Sequence, residues 1–382
     1  MITRRRFCVS AAGAALGTSA QAPKRRVAAI GHTGRGNFGH GLDSVWLKMP
    51  GTEIVGVADA SEKGLRTAQT RLGGIPGFAD YRKMLAELRP EFVSVCPRYA
   101  DQHRDMGLAA MNAGVKGLYM EKPWVRTPQE TDELIAAAKK TGAKIAIAHR
   151  NRYHPVLATI DKLIAEGRIG RLLEIRARGK GDRRGGGQDL WVLGTHVLNL
   201  VHYFAGDPLS CSATMYKDGK RATKADIREG DEGVGPIAGN ELHARFEMSK
   251  GIVAYFDSIA NDGTKSEGFG LKLVGSKGTV NIQCDRKPLA HLWLGNPFQP
   301  SSTPQPWEAI PDGDAAVIAS VHDHRAAVDD LITAVDEDRE PLCGVRDGLM
   351  TVEMCCAVFE SHLQNGAAVA IPLTKRDHPL SR

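Results

Sequence analysis

The chain has 382 residues, long enough for a large core and for two domains. Its 42% hydrophobic and 25% charged content is that of a soluble globular protein. Half of the formal charge of +6 sits in Arg4, Arg5 and Arg6; with 6% aromatics and no basic block in the body, nucleic acid is not the expected partner.

The chain opens on Thr3-Arg4-Arg5-Arg6-Phe7, then the weakly apolar CVSAAGAALG and a small-residue Ala20-Gln21-Ala22. This pattern predicts a twin-arginine export signal over residues 1–22 and a periplasmic protein, or a cytoplasmic one if the signal does not function. Its apolar stretch is too short to span a membrane. From 23 to 149, strand-like RVAAIG, EIVGVAD, FVSVCP, VKGLYME and KIAIAH alternate with helix-like segments, the last of them TPQETDELIAAAKKTG with a Thr127/Glu130 capping box and a stop at Gly142. Such alternation predicts a doubly wound parallel sheet, a Rossmann domain. From 150 to 382 the texture changes. A helix near 155–166, the strand LLEIRARG, the loop GKGDRRGGG and a helix over 195–204 precede five alternating segments between 242 and 295. A Pro/Ser-rich loop and two helices, over 320–337 and 345–364, finish a second, α+β domain with a mostly antiparallel sheet.

Gly31-His32-Thr33-Gly34-Arg35-Gly36-Asn37-Phe38-Gly39 follows the first strand and precedes a helix-like segment, the context of a dinucleotide-binding turn. The register is open: Gly34-x-Gly36-x-x-Gly39 has the usual spacing, while Gly31 is the glycine next to the strand. In either register Gly31, Thr33, Gly34, Arg35 and Gly36 are candidates to hold the pyrophosphate. Asp59 closes the second strand, where a carboxylate pairs with ribose hydroxyls and repels a 2′-phosphate, so NAD is expected rather than NADP. Cys96-Pro97 and His103 are placed at the third strand's carboxyl end, as a wall of the cofactor groove. Glu121-Lys122-Pro123 closes the fourth strand; the proline disfavours helix at Lys122 and keeps that side chain at the sheet's ligand-binding edge.

GLYMEKPWVRTPQETDELIAAAKKTGAKIAIAHRNRYHP, IAEGRIGRLLEIRA, GTHVLNLVHYFAG, LVGSKGTV and the final AVAIPL resemble the glucose–fructose oxidoreductase/inositol dehydrogenase/MocA family across Arg26 to Leu373. The resemblance implies an NAD(P)-dependent oxidoreductase acting on a sugar or polyol hydroxyl. Lys122 is then the base or hydroxyl polariser, with Glu121 at the cofactor, and Arg152 and Tyr153 meet the substrate. The family's second element, an Asp-x-x-x-His pair, is broken: His196 is present, but the aspartate position is Val192. Asp189 is a candidate replacement, and Asn199, three residues beyond His196, a candidate substrate contact. His322-Asp323-His324 has a metal-like look, but adjacent residues diverge at a helix start, and no metal is expected. The seven cysteines form no CxxC pair, which signals neither zinc nor a disulfide framework. A homo-oligomer is the expected assembly. An exported enzyme meets no pool of free NAD, which favours a retained cofactor. The alternatives are a redox-neutral NAD-dependent glycoside hydrolase and a non-catalytic NAD-binding protein.

Overall fold

The computed structural model describes residues 23–300, 303 and 305–382; the arginine-rich segment 1–22, with the expected export signal, lies outside them. Six parallel strands form the first sheet: β1 (Arg25–Ile30), β2 (Thr52–Ala58), β3 (Gly77–Phe78), β4 (Phe92–Val95), β5 (Gly117–Met120) and β6 (Lys144–Ile147). Their order is β3-β2-β1-β4-β5-β6, so the chain reverses direction across the sheet between β1 and β4. The two connections leaving that point open a crevice at the carboxyl edge. β4 and β5 are buried at every position because helices cover both faces.

The helices α1 (Glu62–Arg71), α2 (Tyr81–Leu88), α3 (His103–Asn112) and α4 (Pro128–Thr141) begin and end where local chemistry dictates. Ser61 caps α1 by accepting from the Gly64 N–H, and Thr127 caps α4 by accepting from the Glu130 N–H at 3.1 Å. The capping box is only half formed. The Glu130 carboxylate reaches the Arg126 N–H at 2.8 Å, not that of Thr127. Gly142 ends α4 in the left-handed conformation, as its position predicts. The helix expected after the glycine-rich stretch does not form: turns run from Gly39 to a short 3-10 helix, Ser44–Lys48. Glycines at 39 and 41 with positive φ are incompatible with a helical start there.

The second sheet is mixed. After α5 (Val156–Ala165), its central strand β7 (Leu172–Arg178) runs parallel to Val253–Ile259 on one side and antiparallel to Gly270–Gly275 on the other. A strand at Pro208–Lys217, absent from the sequence expectation, pairs with Glu241–Met248. A four-residue α6 (Gly186–Asp189) leads through a π-helical turn, Leu190–Gly194, into α7 (Thr195–Ala205). The helix expected over 320–337 is two, α8 (Ala315–His322) and α9 (Arg325–Asp336), broken at His324, whose φ is 69°. α9 returns to the first sheet, where Ala327, Val328 and Leu331 join the core formed by Val27, Phe92 and Tyr119. α10 (Val345–Leu363) packs against α7 and the strand Pro208–Lys217.

Candidate active site

Every strand of the crevice delivers one side chain or loop to it. The loop after β1 folds back on itself through a bridge between His32 and Asn37. Two glycines there are required for different reasons. Gly34 has a φ of 89° and faces open space, while a Cβ on Gly36 would lie 2.3 Å from the Arg98 nitrogen. The turn therefore rests on the backbone leaving β4. Arg35, expected at the pyrophosphate, is held to Asp101 at 2.5 Å and lies 4.6 Å over the Tyr99 ring. Asp59 is buried at the end of β2. Its oxygens accept from the Thr33 N–H at 3.0 Å, the Thr33 hydroxyl at 2.6 Å and the Ser61 N–H at 2.9 Å. Together with Gly31, His32, Tyr81 and Arg82 it lines a cavity of about 270 Å³. That cavity suits an adenosine: it follows the glycine turn, and two acids line it, Asp59 and Asp80. Arg82, from the start of α2, adds a cation that the residues next to Asp59 in sequence do not reveal.

At the other end of the crevice a second cavity, about 210 Å³, separates the two domains. Lys122 enters it from β5, buried, with Nζ donating to the Val192 carbonyl at 2.9 Å. The family's aspartate position thus still meets the lysine, through a main-chain oxygen of the π-helical turn. Burial lowers the Lys122 pKa; Glu121 and Glu232 oppose this, while Arg98 and Arg184 reinforce it. Glu121 is wholly buried and accepts from His40 Nδ1 at 2.8 Å. Burial pushes its carboxyl up, but the His40 hydrogen bond and Lys122 outweigh that and hold it below its usual value.

His196 faces Lys122 across the cavity. Its Nδ1 lies 3.3 Å from Nδ1 of His149, and the two rings meet edge to face. Burial, then Lys122 and His149, hold His196 well below its usual pKa. Burial first and Lys122 second bring His149 to about 3. Both imidazoles are therefore neutral near pH 7, one ring donating its proton to the other. His149 closes β6 as Lys122 closes β5. Sequence reasoning missed it, although the strand-end rule applied to KIAIAH would have found it. His324 also lines the cavity, bonded through Nδ1 to the Tyr119 hydroxyl at 2.5 Å. The His-Asp-His run contributes a cavity residue where a metal had been weighed.

Several expected site residues stand elsewhere. His103 is wholly buried, with Nε2 2.6 Å from the Pro97 carbonyl and Nδ1 2.9 Å from those of Pro123 and Trp124. It staples the Cys96-Pro97 turn to the Lys122-Pro123 turn from behind and offers no ring atom to the crevice. Cys96 is buried, and burial raises its thiol well above the usual range. The relay expected of Asp189 is not formed. Its carboxylate accepts from the Ser258 hydroxyl at 2.6 Å and the Lys180 N–H at 3.1 Å, away from His196. Arg152 and Tyr153 turn out of the cavity, because successive side chains of the 3-10 turn Arg150–Tyr153 point in different directions. Arg150 and Asn151 line it in their place. Arg152 lies over the Tyr203 ring and bonds Asp347, and Tyr153 packs in the core. Asn199 is buried with its amide on Cys343 Sγ.

Residues 25–149 match the family described as an oxidoreductase family with an NAD-binding Rossmann fold, and residues 161–371 match its C-terminal alpha/beta domain. The chain belongs to the Gfo/Idh/MocA oxidoreductase family. Among curated relatives, D-apiose dehydrogenase of Paraburkholderia graminis is 23% identical over 91% of this chain and 90% of its own. Levoglucosan dehydrogenase of Pseudarthrobacter phenanthrenivorans is 22% identical over 60% of this chain and 65% of its own. In structure, an oxidoreductase domain protein from Kribbella flavida superposes with a TM-score of 0.71 at 21% identity, over 92% of this chain and all of that one. Levoglucosan dehydrogenase with NADH and L-sorbose gives 0.70 at 17% identity, over 92% of this chain and 100% of that chain. The crevice of this NAD-binding oxidoreductase has a cavity at each end, one lined by Asp59 and the other by Lys122.

Proposed function

We propose that this oxidoreductase is an NAD-dependent dehydrogenase of a sugar or polyol hydroxyl, with Lys122 as base and His196 as its partner. The observation that carries the reading is Lys122 itself: a buried amine of lowered pKa, at the carboxyl end of β5, pointing into a cavity between the two domains. The names of the sugar dehydrogenases among its relatives support the substrate class. NAD, when bound, supplies the hydride acceptor. The chain supplies the rest. The Val192 carbonyl orients the lysine, which takes the hydroxyl proton as its carbon is oxidised. Desolvation makes the neutral amine accessible nearer to neutral pH than in water. The His196–His149 pair offers a second neutral site for that proton, with no carboxylate needed at position 192.

The arginine-rich start further supports export with the cofactor already in place, since twin-arginine transport moves folded cargo. A retained NAD must be returned to its starting state by a second sugar. The test is exhaustive dialysis, then assay of single and paired sugars with and without added NAD. Multiple turnovers on paired sugars without nucleotide are expected. NADH formed only with added NAD, one per product, removes retention and leaves an ordinary dehydrogenase. Sugar release from aryl glycosides without nucleotide replaces net oxidation by redox-neutral hydrolysis. Bound nucleotide with no turnover at all removes the enzyme reading.

A further inference from the structure

The cavity between the domains holds more positive charge than a neutral sugar needs. Arg98, Lys122, Arg150, Lys180 and Arg184 line it, against the two acids Glu232 and Asp285. Most of these cations are engaged. Arg150 is paired with Asp285, Arg184 bonds Asp182 through Nε at 3.0 Å and through Nη2, and Lys122 is on the Val192 carbonyl. Arg98 and Lys180 have no carboxylate partner among the described residues. Arg98 Nε is buried without any hydrogen-bond acceptor, and the Lys180 ammonium faces only the Phe269 ring, 5.8 Å from its centroid. A buried donor left unpaired, as Arg98 Nε is, costs stability, while the half-buried Lys180 ammonium stands at the cavity wall without a counter-charge. Such groups persist where a ligand completes them.

The two cations come from opposite sides. Arg98 leaves β4 beneath the glycine turn, next to the cofactor path, so a dinucleotide phosphate is one possible source of its anion. Lys180 and Arg184 belong to the loop after β7, in the second domain, and line the cavity from that side. Arg184 keeps its Nη1 edge unbonded. Glu232 completes the cavity: its Oε2 is buried without a partner, and its φ of 60° is a strained conformation for a side chain other than glycine. A carboxylate fixed in this way is suited to accept from sugar hydroxyls.

Resting on the dehydrogenase reading, we infer that the substrate is an anionic sugar, whose carboxylate or phosphate is held by Lys180 and Arg184 while Glu232 binds a hydroxyl. Arg and Lys on one side and Glu on the other orient such a molecule from both ends, which a neutral sugar leaves half unused.

The experiment measures binding of D-glucuronate, D-glucose 6-phosphate and D-glucose to the protein saturated with NAD, by calorimetry at two salt concentrations. Saturation with NAD removes the cofactor phosphates as competitors, and the two charged probes separate carboxylate from phosphate. At least one charged probe is expected to bind about tenfold tighter than glucose or better, the equivalent of one charged hydrogen bond. That advantage should shrink at high salt. Lys180→Met should abolish it and leave the Kd for NAD unchanged. Equal, or undetectable, binding of all three probes overturns the inference; so does a Lys180→Met loss shared equally by the neutral sugar. The wild-type salt dependence decides the matter if the variant does not fold. Oxidation of neutral sugars without any anion preference removes this inference and leaves the dehydrogenase. An anion preference with no sugar oxidised does the reverse.

Discussion

The two ends of the crevice are built on the same sheet edge and yet differ in how completely their polar groups are paired. At the adenosine end, Asp59 accepts from Thr33 twice over and from Ser61, so the carboxylate braces the glycine turn before any ligand arrives. At the reacting end, Glu121 Oε2, Arg98 Nε and Glu232 Oε2 are buried with no partner. The first is braced in advance at its carboxylate, with Gln102 Nε2 its one buried side-chain polar atom left unpaired among the described residues. The second is a set of desolvated groups whose pairing is left to a ligand, and desolvation is also what shifts Lys122 and His196 toward neutrality.

The largest expected effect breaks the reacting end alone. Lys122→Ala should lower turnover by about 10²–10⁴-fold, the usual contribution of a positioned proton acceptor. Fold and NAD affinity should stay as in the wild type; steady-state rates with calorimetric NAD titration check both. A variant with wild-type rate would remove Lys122 from the chemistry.

Asp59→Ala breaks the other end and should give the opposite pattern. Losing a charge and three hydrogen bonds at the turn is expected to weaken NAD binding by about 10–100-fold, from roughly 1–3 kcal/mol. Turnover at saturating NAD should change little. Equal losses in turnover and NAD affinity would show that the two ends are not separable.

A smaller effect sharpens the comparison through pH. His149 and His324 are buried, with pKa values lowered from 6.5 to about 3 and about 4 by burial above all. Below pH 6.5 the unfolded chain binds protons that the folded one excludes. Stability should therefore be intact above pH 6.5 and fall as pH drops toward 4, by up to about 1.4 kcal/mol per pH unit for each group. Urea unfolding between pH 7 and pH 5 measures the slope, and His149→Asn should make it shallower. An unchanged slope would mean that His149 is not held neutral by the fold.

Much of the reacting edge was legible because strands alternate with helices and each strand end is a place in space. Lys122 follows β5, Asp59 follows β2 and Cys96 follows β4, as the apolar runs indicate. The failures lie where backbone geometry departs from a regular period. The 3-10 turn after β6 puts Arg150 and Asn151 in the cavity and turns Arg152 toward Tyr203 and Asp347. The π-helical turn before α7 presents a carbonyl where the sequence shows only a valine. Spacing along a chain cannot reveal which main-chain oxygen is free.

The alternation of apolar runs, the glycines after β1 and the strand-end Asp59 and Lys122 thus determine a dinucleotide-binding sheet and the edge at which it works, since period and turn chemistry are local properties. The partners of those residues were decided elsewhere in the chain. His149 meets His196, Val192 meets Lys122, and His324 comes back on α9's preceding turn to reach Tyr119. Each contact joins segments 47 to 205 residues apart, and only the packing of the second domain against the first sheet brings them within hydrogen-bond range.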